Sequence, residues 1–196
     1  MANNTESEND RDVALMAAIA DDDHEAFAEL VGRHQHAVVG TISKMMNGSA
    51  DAEDIAQQVF LRLWKSAKRY QPTAKFTTYM YTITRNLVFN ATRKKSIRKE
   101  SSIEEQAEEW NHQVGNPNED ARPDNELAQK ELQAAVDRAI ANLPEKQRTA
   151  VILRRYEQMP YEEIAEVLGL SVSAVKSQLF RARLQLRDEL NRYLEN

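Results

Sequence analysis

The chain has 196 residues, of which 41% are hydrophobic and 29% charged, with a formal net charge of −5. That is enough apolar material for one or two cored domains in water. The absence of cysteine excludes a disulfide framework and a thiolate metal site, and fits a reducing compartment. No apolar run approaches the roughly 20 residues that a membrane-spanning helix needs, and the acidic start from Met1 to Arg11 lacks the basic and apolar regions of a signal peptide. The expected location is cytoplasmic, without membrane insertion.

In chain order the elements read as helices throughout. Residues 1–11 are polar and are expected to form a disordered tail. Asp22 to Glu25 gives a D-x-x-E cap at the head of a helix running toward Met46, and Asn47-Gly48-Ser49 breaks it. Asp51, Glu53 and Asp54 fall in the first turn of the next helix, where the helix dipole favours carboxylates; this helix is expected to reach about Tyr70. Gln71-Pro72-Thr73 interrupts. A further helix from Phe76 to about Lys95 places Phe76, Tyr79, Met80, Ile83 and Leu87 on one face. Toward the carboxyl end, Pro144 and Pro160 each open a helix. With five Gly, five Pro and no β-branched alternation, the fold class is all-α.

Charge divides the same chain into blocks. Residues 1–60 carry twelve acids against three bases, whereas residues 61–99 carry eleven bases and no acid. Residues 100–126 hold nine acids and one base together with Gly115, Pro117 and Pro123, and read as a linker. The predicted organisation is a tail (1–11), a first domain (12–98), an acidic linker (99–127) and a second domain (128–196). The acid-free block, rich also in Trp64, Tyr70, Phe76, Tyr79, Tyr81 and Phe89, is suited to a polyanion: cations hold phosphates and aromatic faces stack on unpaired bases.

In the second domain, YEEIAEVLGLSVSAVKSQLFRAR (161–183) has a specific plan. A short helix buries Ile164, Ala165 and Leu168; Gly169 supplies the turn, where positive φ is easiest for glycine; Ser171 caps a second helix. Val172, Val175 and Leu179 face inward, leaving Ser173, Ala174, Lys176, Ser177, Phe180 and Arg181 outside. No acid occurs between Val167 and Arg187. This is the pattern of a helix-turn-helix (161–180) with its second helix shaped for a major groove. The competing reading, a plain helical hairpin with a solvated basic face, leaves the glycine position and the missing acids unexplained.

Taken together these segments resemble the bacterial RNA polymerase sigma factors of the extracytoplasmic-function type, over nearly all of residues 20–190. DAEDIAQQVFLRLW (51–64) resembles the family's core-polymerase-binding motif, FTTYMYTITRNLVFNATRK (76–94) the segment that binds and opens the −10 promoter element, and LPEKQRTAVILRRYEQMPYEEIAEVLGLSVSAVKSQLFRAR (143–183) the −35-binding domain. The resemblance implies two helical bundles, sigma region 2 and sigma region 4, joined by a flexible linker. It implies core-polymerase contacts, with the β′ clamp helices and the β flap, and assigns the first of these to Asp51, Glu53, Asp54, Gln57, Gln58, Phe60, Leu61 and Trp64. It assigns −10 contacts to Gln71, Lys75, Phe76, Thr77, Tyr79, Tyr81, Arg85, Asn86, Asn90, Arg93 and Lys94. It assigns −35 contacts to Ser171, Ser173, Ala174, Lys176, Ser177, Gln178, Phe180, Arg181 and Arg183. Promoter DNA and an anti-sigma factor are the other implied partners, and no cofactor or metal is implied. The linker, at net −8 over residues 100–126, is either a mimic of nucleic acid or a solubilising tether.

The chain departs from the family's common pattern at Tyr79 (often tryptophan), Thr84 (often alanine), Asn90 (often aspartate) and Gln178 (often arginine), and Pro160 stands where a polar cap is usual. An enzyme would have to use His24, His34, His36 and His112. His34 and His36 diverge on a helix, and no metalloprotease, P-loop or nucleophile-elbow motif is present, so no catalytic residue is assigned. Two other readings remain: a helix-turn-helix regulator acting without polymerase, for which the first domain's charge blocks are hard to explain, and an inactive paralogue that binds polymerase without opening DNA.

Overall fold

The computed structural model describes residues 2–101 and 123–194, with side chains over 7–95 and 129–192. Among the described residues the chain is helical with no strand. The helices are α1 (Ala2–Ala20), α2 (His24–Met45), α3 (Ala52–Ser66), α4 (Phe76–Ser101), α5 (Pro123–Ala141), α6 (Glu145–Arg155), α7 (Tyr161–Leu168) and α8 (Val172–Leu194), with one turn of 3-10 helix over Ala67–Arg69.

Local chemistry accounts for most boundaries. Asp23, not Asp22, caps α2: its carboxylate accepts from the amides of Glu25 and Ala26 at 2.9 and 3.0 Å. Asp22 is occupied in the turn itself, at φ +64, where a short polar side chain tolerates the left-handed conformation. Asn47 and Gly48 both take positive φ and end α2. Glu53 and Asp54 lie in the first turn of α3. Pro144 and Pro160 stand at the caps of α6 and α7, where a missing amide proton costs nothing.

Two expectations are corrected at the margins. The tail expected over 1–11 is helical from Ala2, because α1 is tied down: Arg11 pairs with Glu29 at 2.6 Å, Asp12 is 2% exposed and accepts from Arg33 at 2.8 Å while lying 2.9 Å from His34 Nε2, and Asn9 accepts from the Phe76 amide at 2.8 Å. This last contact satisfies one of the orphan donors at the start of α4. At the other margin, α4 runs on to Ser101 and α5 starts at Pro123. Both cut into the span expected as linker, whose remainder lies outside the described residues.

Helices α1 to α4 pack around Leu15, Met16, Ile19, Leu30, Ile42, Leu63, Phe76 and Met80, each at most 4% exposed. Helices α5 to α8 pack around Ile152, Leu153, Ile164, Val167 and Val175, all fully buried. The two halves do not stand apart: their buried residues form one continuous cluster, with α4 against α7 and α2 against α6. No helix among the described residues is long and apolar enough to cross a membrane.

Candidate nucleic-acid interface

Helix α3 divides cleanly. Ile55, Ala56, Val59, Phe60 and Leu63 are buried, whereas Asp51, Glu53, Asp54, Gln57, Gln58 and Leu61 are exposed. The exposed set recurs at three- and four-residue spacing and so forms one stripe, ending in Leu61, an apolar side chain 53% open to solvent. Phe60, expected with this set, sits inside the core. Trp64 is half-covered: His24 stacks on its ring at 4.9 Å and Phe27 meets it edge-on at 5.0 Å.

The basic block begins in the last turns of α3 and continues past it. Arg62, Lys65, Ser66, Arg69, Tyr79 and Ile83 line an open cavity of about 460 Å³ between α3 and α4. Tyr79 donates to Ser66 Oγ at 2.8 Å, and its ring leans on Tyr70 at 5.1 Å. Three cations, a phenol and an aliphatic wall offer both a phosphate seat and a stacking surface. The sequence reading places Tyr79 here but gives no role to Arg62, Lys65 or Arg69. The signal was present, since all three fall in the acid-free block, yet charge pattern alone does not show that α3 and the 3-10 turn after it bring these cations beside α4.

The remaining −10 candidates fall into three groups. Gln71, Lys75, Asn86, Asn90, Arg93 and Lys94 are exposed. Thr77 and Arg85 are half-covered. Phe76 and Tyr81 are buried at 0% and 2%, so as arranged neither ring faces solvent. Phe76 belongs to the core, with Tyr70 edge-on at 6.4 Å. Tyr81 is covered instead by the other half of the molecule: its hydroxyl donates to Glu157, the carboxylate that also accepts from Thr41. Burial, together with that nearby carboxylate, pushes the Tyr81 phenol well above the ordinary tyrosine range.

In the second half the helix-turn-helix is formed as read except at the end of α7, where Val167 is fully buried and Leu168, expected inside, is only partly so. Gly169 takes φ +63 and its amide closes α7 onto Ala165 and Glu166, a left-handed helix stop. Ser171 Oγ accepts from the Ala174 amide at 3.2 Å and caps α8. Val175 is fully buried, with Val172 and Leu179 packed against the core. Ser173, Lys176, Ser177, Phe180, Arg181 and Arg183 are exposed, Phe180 at 62%, and Ala174 and Gln178 are partly so. The outer surface of α8 is therefore small near its start, basic farther along, and free of carboxylates over its first four turns.

Comparison with known proteins decides what these surfaces belong to. Residues 30–97 match the family model for sigma-70 region 2, and residues 133–186 that for sigma-70 region 4. The chain is 33% identical over 182 residues to the ECF RNA polymerase sigma-E factor of Haemophilus influenzae, covering 91% of this chain and 95% of the relative. The chain belongs to the extracytoplasmic-function group of the sigma-70 family. The sigma-E factor of Escherichia coli is also 33% identical, over 90% of this chain and 93% of its own length, and the sigma-H factor of Pseudomonas aeruginosa is 31% identical over 89% and 91%. The fold is shared with CnrH, solved in complex with the cytosolic domain of CnrY (TM-score 0.67, 24% identity, 92% of this chain and 97% of that one). It is shared also with RpoE of Bartonella quintana, solved with the anti-sigma factor NepR (TM-score 0.64, 20% identity, 84% and 96%). The chain's function is that of an RNA polymerase sigma factor, and a regulator acting outside polymerase is not favoured.

Proposed function

We propose that the sigma factor divides its task among three surfaces. The α3 stripe from Asp51 to Leu61 docks on the β′ clamp helices of core polymerase, with Leu61 as its apolar anchor. The α3–α4 cavity and the loop from Gln71 to Lys75 capture the opened −10 strand: Arg62, Lys65 and Arg69 hold its phosphates while Tyr79 stacks on a base. Helix α8 enters the major groove at the −35 element through Ser173, Lys176, Ser177, Gln178 and Arg181, and the second half also meets the β flap. Stacking supplies about 1–3 kcal/mol per base, comparable to the few kcal/mol that extruding a base costs, so strand capture offsets melting without an energy source. An anti-sigma factor restrains the chain, and all of this takes place in the cytoplasm without catalysis by the sigma factor itself.

The observation that carries this reading is the adjacency of two unlike surfaces: α3 presents an acidic and apolar stripe, and its last turns, with the 3-10 turn that follows, carry the cations of the cavity. Leu61→Arg tests the first surface. Because Leu61 is exposed, the variant folds as the parent does. Its affinity for core polymerase is expected to fall about tenfold or more, measured by fluorescence anisotropy of the labelled sigma factor. Unchanged affinity would move the docking site off α3.

A further inference from the structure

Helix α4 begins after Lys75, a residue that cannot cap it. The Lys75 carbonyl takes the first intrahelical bond, from the Tyr79 amide at 3.2 Å. This is the cap position, where an oxygen-bearing side chain is favoured, but a lysine side chain only donates. The acceptor comes instead from 67 residues earlier in the chain: Asn9 of α1 presents Oδ1 to the Phe76 amide at 2.8 Å. Asparagine is a poorer helix former than alanine, so α1 itself does not call for it.

The same helix secures the surroundings of this bond. Asp12, one turn after Asn9, is 2% exposed, accepts from Arg33 at 2.8 Å and lies 2.9 Å from His34 Nε2. The His34 ring lies 5.2 Å from that of Phe76. In the turn after α1, Asp22 pairs with Lys68 at 3.1 Å, on the 3-10 turn that leads into the loop from Gln71 to Lys75. The loop is therefore tied to the α1 segment on both sides, while Gln71, Pro72, Thr73 and Lys75 are exposed. The Lys68 pair is open to solvent at both partners and holds weakly. The Asn9 bond is partly buried, and it sets where α4 starts.

We propose that Asn9 is a positioning residue for −10 strand capture: it caps α4 from outside and so fixes the exit of the loop that meets the opened strand. This rests on the strand-capture reading of that loop. Asn9 acts through the Phe76 amide and not by meeting nucleic acid. A loop whose far end frays must be ordered when the strand binds, and a cap removes that cost beforehand. The effect falls on the opened strand and leaves the α3 stripe, a surface on another element, untouched.

The test uses the full chain, alone and as holoenzyme with core RNA polymerase. Asn9→Ala removes the acceptor and leaves a better helix former in α1. Asn9→Asp restores an acceptor of the same shape, whose charge suits the amino-terminal end of α4. Three quantities are read: hydrogen exchange of the Phe76 amide in the free chain, affinity for core polymerase, and affinity of the holoenzyme for a fluorescein-labelled promoter fragment on which it initiates, with the −10 segment held open by mismatches. Asn9→Ala is expected to speed Phe76 exchange about fivefold, as for the loss of one helix cap, and to weaken binding of the open fragment by a similar factor, with core affinity unchanged. Asn9→Asp should return both to wild-type values. A residue that only stabilised the fold would not split the two affinities, and one that touched nucleic acid would make aspartate the worse variant. Unchanged Phe76 exchange in Asn9→Ala, or an Asn9→Asp that binds the open fragment no better than Asn9→Ala, would overturn the proposal. Gln71→Ala, on the exposed loop, separates it from the reading beneath it. If Gln71→Ala weakens binding of the open fragment and Asn9→Ala does not, the proposal fails and strand capture by the loop stands. If neither does, strand capture fails and the proposal with it.

Discussion

At the scale of single residues, Gln178 carries the sharpest question of specificity. It lies on the partly open side of α8, at a position where the family commonly has arginine. A glutamine amide pairs bidentately with adenine, whereas arginine prefers guanine, each such pair being worth about 1–3 kcal/mol against the wrong base. Gln178→Arg is therefore expected to change the preferred −35 sequence at one base, read by selection of bound fragments from a random library with the reconstituted holoenzyme. Identical selected sequences for the two forms would remove Gln178 from readout. Tyr81 gives a second prediction. Its neutral phenol is favoured first by burial and then by Glu157, so its folded-state pKa exceeds the unfolded value of about 10. The stabilisation is complete below that value and is lost only as strongly alkaline pH passes through the folded pKa. In an alkaline absorbance titration Tyr81 should ionise late, and Glu157→Gln should bring it earlier; a midpoint unaffected by Glu157 would contradict the contact.

At the scale of elements, α4 is a core helix to which we also assign strand binding, which explains what the sequence disclosed and what it hid. The period of Phe76, Tyr79, Met80, Ile83 and Leu87 marked a buried face, and Phe76 and Met80 are indeed fully buried. Phe76→Ala should cost about 3–5 kcal/mol of stability, measured by urea unfolding; a loss below 1 kcal/mol would mean the ring is not in the core. The burial of Tyr81 was not legible, because its cover, Glu157, is 76 residues away in sequence and no local period encodes it. Helix α1 was hidden for a similar reason. Its amino-terminal part is too polar to announce a helix, and is held by distant partners such as Glu29, Arg33 and the amide of Phe76. The helix-turn-helix was legible almost completely, since its determinants are local: a glycine at positive φ, a serine cap and apolar residues at helical spacing. Ser171→Ala should accordingly cost about 0.5–2 kcal/mol, seen as a lowered unfolding midpoint.

At the scale of the whole molecule, charge organises the design. A chain of net charge −5 confines an acid-free block of eleven cations to one stretch, folds it between α3 and α4, and covers part of it with its own carboxylates. The covered contacts and the net acidity both oppose attraction to phosphate, so free sigma factor should bind DNA weakly and with shallow salt dependence, while the holoenzyme should bind promoters tightly and with a steep one. The central claim, that this chain confers promoter selection on polymerase, is tested most directly by mixing the purified protein with core RNA polymerase and mapping transcripts from a genomic promoter library. The account predicts initiation at discrete promoters that depends on both proteins. Polymerase binding without promoter-specific initiation, or DNA binding indifferent to polymerase, would contradict it.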